Sequence, residues 1–375
     1  MKRVVDRAPH AAEPGISLAD PEFSRSVIEW QRSHGRHALP WQNTRDAYRI
    51  WLSEIMLQQT QVSAVIPYYL RFLERFPDVA ALAAGAQEDV MAHWSGLGYY
   101  SRARNLHRCA QRIVAEYGGS FPRDPAALAA LPGIGRSTAA AIAAFAYGER
   151  AAILDGNVKR VFCRVFGIEG FPGAKPIENA LWERAQALLP EQGVEAYTQG
   201  LMDLGATVCT RGKPSCARCP LSSRCDAYAS NRTHLLPTAR PAKEVPRRSV
   251  AMLVIEAGEH VLLEQRPDSG IWGGLLSLPE IPAETAEEGR VTQAAARFGH
   301  VEAVERLQPF THVFTHFRLD VLPFRVRLTQ PVTFAGEVRY VWSAHKGVAD
   351  AALPAPVKKL LLSLYSRTGF QAQLV

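Results

Sequence analysis

Four of the chain's six cysteines fall within one short stretch, "CTRGKPSCARCPLSSRC", spaced Cys209-x6-Cys216-x2-Cys219-x5-Cys225. No other feature restricts the fold as strongly, because thiols this close must bind each other or a common centre. The polar stretch "TRGKPS" between the first two cannot bury them as ordinary core residues. The N-terminus "MKRVVDRAPHAAEPGISLAD" mixes acids with bases and lacks the apolar core of an export signal. A reducing, cytoplasmic setting is expected (nucleoid-associated in a bacterium), which argues against disulfides. Soft thiolates then suit zinc or iron–sulfur. Zinc sites usually pair two CxxC-like knuckles. A single x2 pair flanked by longer arms better suits wrapping a bulky [4Fe–4S] cube.

At 375 residues, with about 150 per domain, the chain has room for two or three domains. Its 47% hydrophobic content supports a sizeable core. Every long apolar run is broken by glycine, proline or charge, so no membrane partner is expected. A formal charge of +7 suits a polyanion. From Phe23 to Tyr228 the chain reads as helix after helix, with Ile55, Val62, Ile66, Tyr69, Leu70 and Leu73 at helical spacing. "NRTHLLPTARPAKEVPRRS" reads as a linker, and "VAMLVIEA", "HVLLEQR", "HFRLDVLPFRVRL" and "EVRYVW" as strands. The expected organisation is a flexible tail (1–20), an all-α domain (21–230) with the cysteine loop at 209–225, a linker (231–248) and an α+β domain (249–370). A monomer is expected.

Three stretches carry chemistry. In "LPGIGRSTAAAI", Gly133 and Gly135 precede an apolar helix, and such a turn brings backbone N–H groups and a helix dipole to an anion. In "AAILDGNVKRVFCRVFG", Asp155 stands where it would cap an amphipathic helix. In "WLSEIMLQQTQV", Glu54 lies among apolar residues, company that raises a carboxyl pKa.

These stretches resemble the helix-hairpin-helix, or endonuclease III, superfamily of DNA glycosylases: LPGIG its DNA-backbone module, LDGNVKRV its essential-aspartate segment, and the cysteine spacing its structural [4Fe–4S] loop. "SEIMLQQTQV" and "GLGYYSRARNLH" are similar, almost letter for letter, to the adenine-specific (MutY) family. The resemblance implies Glu54 as general acid, Asp155 facing the sugar with Asn157 close by, and Cys209, Cys216, Cys219 and Cys225 as cluster ligands. It implies DNA contacts at Gln58, Gln59, Tyr99, Gly133, Gly135, Ser137 and Lys159. The substrate would be duplex DNA with adenine opposite 8-oxoguanine or guanine.

Two carboxyls suit that reaction. Adenine leaves readily only when protonated, which asks for a neutral acid. The oxocarbenium-like sugar left behind asks for an ionised one. The polar loop and Lys159 are expected to keep Asp155 low.

Beyond the linker, "SGIWGGLLSLPE" resembles the Nudix-like C-terminal domain of the same family. The downstream "IPAETAEEGRVTQ" lacks the REx(x)EE core, so a recognition module rather than a hydrolase is expected. "HVFTHFRLD" stands where that family reads 8-oxoguanine, which points to Phe314, Thr315 and His316, with Thr in place of the commoner Ser. Two alternatives make distinct demands. A bifunctional glycosylase/lyase would carry lysine in place of Ser137, and a non-catalytic lesion-binding protein would lack Glu54 or Asp155.

Overall fold

The computed structural model describes residues 18–241, 245–267, 270–332 and 339–368. The expected tail therefore lies outside the described residues except for its last three, and the linker is described apart from 242–244. Backbone packing divides the chain into two units, residues 1–70, 78–80 and 108–242 in one, and 71–77, 81–107 and 243–375 in the other. The segment 71–77 and 81–107, which the sequence assigns to the all-α domain, thus packs with the C-terminal residues.

The helices in chain order are α1 (Pro21–His34), α2 (Ala47–Leu57), α3 (Val62–Arg75), α4 (Val79–Ala84), α5 (Gln87–Trp94), α6 (Ser101–Tyr117), α7 (Pro125–Ala129), α8 (Arg136–Tyr147), α9 (Gly156–Val165), α10 (Lys175–Ala187), α11 (Val194–Asp203) and α12 (Asp226–Ala229). Aspartates start four of them. The carboxylates of Asp20, Asp46, Asp124 and Asp155 each accept first-turn N–H groups that would otherwise lack partners. In the first unit α1 packs on α11 and α2 on α8. Phe23, Val27, Phe162, Tyr197 and Leu201 lie at the centre of its core.

The run from Ala47 to Phe76 is not one phase of helix. Gln58 leaves helical geometry, Gln59 has φ +57, and α3 restarts at Val62. The buried positions of α3 are Val65, Tyr69 and Phe72, followed by Phe76, while Leu70 is exposed. The break resets the phase, which a periodicity count across it could not register.

In the second unit a mixed eight-stranded sheet runs β3-β2-β1-β7-β5. Its strands are β1 (Arg247–Ala257), β2 (His260–Gln265), β3 (Leu276–Ser277), β4 (Glu280–Pro282), β5 (Gly299–Arg306), β6 (Phe310–Val313), β7 (Arg318–Pro331) and β8 (Tyr340–Ala344). β1 and β7 pair in parallel from Arg247↔Arg318 to Glu256↔Arg327, and β1 is buried continuously from Ala251 to Glu256. A parallel central pair covered on both faces reads as such an unbroken apolar run. Helices α13 (Glu288–Ala295) and α14 (Ala355–Thr368) complete the unit. Among the described residues no helix is long and apolar enough to cross a membrane.

Candidate active site

Glu54 lies near the C-terminal end of α2, beside the buried Ser53, Ile55 and Met56. It shares a pocket of about 450 Å³ with Arg36, Trp41, Phe145, Glu195 and Gln199, a size suited to a small planar ligand. Burial first, and the charge of Asp155 second, push its carboxyl up to about 7. The expectation from its apolar neighbours holds, since low solvation disfavours the ion.

Asp155 caps α9 and accepts Val158 N–H at 2.8 Å and Asn157 Nδ2 at 3.2 Å. Its environment differs from the one expected. Burial pushes its carboxyl up, and these hydrogen bonds and the Arg160 charge offset that rise. Lys159 is not the counter-charge, because its Nζ donates to Glu178 Oε1 on α10 at 2.6 Å. The donors aimed at Asp155 favour its ionised form, whereas burial favours the protonated form of Glu54.

The same helix is tied to the cysteine loop. Arg160 donates to Asn157 Oδ1 at 2.8 Å, Gly205 O at 2.6 Å and Cys209 O at 2.7 Å. Gly205 lies in a π-helical turn, Leu204–Val208, and a Cβ there would come within 2.4 Å of Asn157 Cβ. One turn further on, the buried Arg164 donates to Thr210 O at 2.8 Å and to Cys209 Sγ at 3.3 Å.

Cys209, Cys216, Cys219 and Cys225 line one small pocket walled by Val161, Leu204 and Leu221. Among the described residues, no three His, Cys, Asp or Glu side chains form a group able to hold a single metal ion. Burial raises the thiols of Cys216, Cys219 (to about 11) and Cys225, and neighbouring cysteines of the set raise each further. Thiolates at those three positions are therefore disfavoured without a cationic partner, and the four-cysteine donor set fits an iron–sulfur cluster in chemistry.

The remaining site residues sit on turns or in the first turn of α8. Gly133 has φ +77, as the hairpin between α7 and α8 requires. Gly135 is extended, and a Cβ on it would meet nothing within 4 Å, so the space before α8 stays open. Ser137 Oγ accepts Leu154 N–H at 3.0 Å, joining this hairpin to the segment ahead of Asp155. Gln58 Nε2 reaches Thr138 Oγ1 at 3.4 Å, and Gln59 is exposed. Tyr99, in the second unit, is also exposed with φ +50. Left-handed geometry at a non-glycine residue is costly and concentrates at functional sites.

Phe314, Thr315 and His316 form the turn between β6 and β7, closed by Phe314 N–H to Phe317 O at 2.9 Å. Thr315 and His316 face solvent, whereas Phe314 is packed against Trp272 (ring centroids 5.5 Å) and Phe317 (4.5 Å). Trp272 itself has φ +55, and the carbonyl of the next residue, Gly273, accepts from Arg104 on α6.

Sequence reading missed the pocket wall (Arg36, Trp41, Glu195, Gln199) and the two arginines on α9. "GRHALPWQNTRD" has no period, and its one visible signal was a tryptophan inside an otherwise polar stretch.

Residues 52–187 match the family described as HhH-GPD superfamily base excision DNA repair protein, and residues 250–363 match the NUDIX domain family. A solved structure described as a thermostable thymine-DNA glycosylase is 32% identical at a TM-score of 0.50, covering 56% of this chain and 95% of that one. Fold and site thus define a helix-hairpin-helix base excision repair protein with a Nudix domain attached. The adenine DNA glycosylase of Buchnera aphidicola (subsp. Acyrthosiphon pisum) is 36% identical over 90% of this chain and 96% of its own. That of Mus musculus is 33% identical over 90% and 77%. The chain belongs to the adenine DNA glycosylase family, whose members are enzymes acting on N-glycosyl bonds.

Proposed function

We propose that this enzyme removes adenine opposite 8-oxoguanine, or guanine, and leaves the strand intact. The observation that carries the reading is a pair of unlike carboxyls, Glu54 in the pocket raised to about 7 by burial and the Asp155 charge, and Asp155 at the head of α9 with Val158 N–H and Asn157 Nδ2 donating to it. Adenine must first leave the stack, at a cost of a few kcal/mol. Gln58 and Gln59 are the side chains to fill the gap, and Tyr99 is a further DNA contact. Glu54 then protonates a ring nitrogen of the base, and Asp155, oriented by Asn157, stabilises the positive sugar.

The LPGIG hairpin holds the backbone without reading sequence. Phe314, Thr315 and His316 read the opposite base. Cys209, Cys216, Cys219 and Cys225 hold a [4Fe–4S] cluster that braces their loop. Arg211, Lys213 and Arg218, all exposed there, meet phosphates, while Arg224 is engaged by Asp20 at 2.9 Å. A single chain acting in the cytoplasm completes the reading.

The lyase alternative finds no amine at the right place. Ser137 carries a hydroxyl bonded to Leu154 N–H, and Lys159 is held by Glu178. The test is incubation with duplexes containing adenine opposite 8-oxoguanine, guanine or thymine, with free adenine and strand breaks assayed separately. Release from the first two without breaks is expected. Release only opposite thymine, or prompt breaks, would overturn the proposal.

A further inference from the structure

One wall of the Glu54 pocket is a non-helical strap, residues 36–45, between α1 and α2. The strap is folded on itself, with Gln42 Nε2 donating to Arg36 O at 2.9 Å and Asn43 Nδ2 to His37 O at 2.9 Å. Two ion pairs fasten its ends to α11. The outer one, Arg45 to Glu195 at 2.8 Å, is exposed. The inner one is different in kind.

Asp203 has a side-chain exposure of 0%. Its carboxylate accepts Arg36 backbone N–H at 2.9 Å, Arg36 Nε and Nη2 at 2.6 Å each, and Gln199 Nε2 at 2.9 Å. Arg36 and Gln199 both line the pocket, whereas Asp203 does not. The fit is tight, because a Cβ on Gly35 would fall 2.5 Å from Gln31 O and 3.1 Å from Asp203 Oδ2. A buried carboxylate is stable only with its charge and lone pairs matched, and here every partner named belongs to the pocket wall.

We propose that Asp203 is a positioning residue for base excision: it fixes Arg36 and Gln199 in the pocket wall and absorbs the guanidinium charge that would otherwise face Glu54. The inference rests on Glu54 being the acid. A neutral acid and a free cation cannot share a small pocket, since the cation favours the ionised form. The charged or titratable groups facing Glu54 are Asp155 from α9, Arg36, His37 and Arg45 from the strap, and Glu195 from α11, while α8 contributes Phe145 and α3 Val62. The charge of Asp155 acts on Glu54, and its effect is to raise it. Arg36 lines the same pocket with its guanidinium paired to the buried Asp203 carboxylate.

The test is single-turnover adenine release against pH for the unmodified protein, Asp203→Asn, Arg36→Met with Asp203→Asn, and Glu54→Gln. Asp203→Asn releases the guanidinium, so the alkaline limb should move down by about one pH unit, a loss of about tenfold above it. The double variant removes both charges, a change that buried pairs often tolerate in stability. Its limb should return to that of the unmodified protein, with the maximal rate still lowered about tenfold by the lost wall. A folded Asp203→Asn with an unmoved limb overturns the proposal, as does a limb still displaced in the double variant. If Asp203→Asn does not fold, an undiminished rate in the double variant overturns it. An active Glu54→Gln would sink the acid assignment and this inference together, while an inactive one leaves any failure to Asp203 alone.

Discussion

Replacing Glu54 with Gln should abolish adenine release and make the protein more stable, the two effects having one cause. Moving a carboxyl from 4.5 to about 7 costs the folded state about 3 kcal/mol once both states are ionised, at about 1.4 kcal/mol per pH unit. A carboxyl raised in the folded state binds its proton more tightly there. Its full contribution is therefore present below the unfolded value and is lost as pH rises through the folded one. At pH 5 most of the penalty is still absent, and at pH 8 nearly all of it applies. Glutamine fills the same space with no charge to desolvate and no repulsion with Asp155. The stability gain of Glu54→Gln should therefore grow by about 2–3 kcal/mol between pH 5 and pH 8. Urea unfolding at the two pH values measures it, beside single-turnover adenine release, where a loss of about 10²–10⁴-fold is expected. A gain that is equal at both pH values, or larger at pH 5, would refute the raised carboxyl. A loss below tenfold would point to another acid.

Gly205→Ala should push Asn157 away from Asp155, lowering adenine release by at least tenfold while duplex binding, measured by gel shift, changes little. Arg160→Met strips acceptors at Asn157, Gly205 and Cys209 of a charged donor, worth about 1.5–3 kcal/mol per bond. It should lower the thermal midpoint and base release together. Replacing Cys216 or Cys219 should reduce iron below about four per chain along with soluble yield, read by iron analysis, whereas a colourless, fully active and zinc-loaded protein would exclude the cluster. Ser137→Lys should introduce borohydride-trappable lyase activity and cost about 1 kcal/mol of stability from the lost Leu154 bond. Trp272→Ala should loosen the Phe314–His316 turn and cut the preference for 8-oxoguanine over guanine by about 1–3 kcal/mol, while release from adenine opposite guanine persists.

Much of the site was legible because it is local. An aspartate before an amphipathic helix, two glycines before an apolar one and four cysteines in a single loop each declare their geometry within a few residues. Asp155 caps α9, Gly133 turns the hairpin, and the cysteines line one pocket, as their close spacing allows. The acid was legible for a related reason, since the apolar neighbours that raise Glu54 include its own helix. What tertiary structure alone decided is which distant charge meets which. Lys159 is near Asp155 in sequence, but a distant partner, Glu178 on α10, captures it, and its neighbour Arg160 is left as the cation acting on Asp155. Arg36 and Asp203 are separated by most of the first unit, yet they make its most completely buried ion pair described. Propensity and spacing act over one or two turns, whereas desolvation and ion pairing depend on how whole helices pack. Local pattern can therefore specify each element and its cap, but the protonation of an acid held between elements exists only once they are assembled.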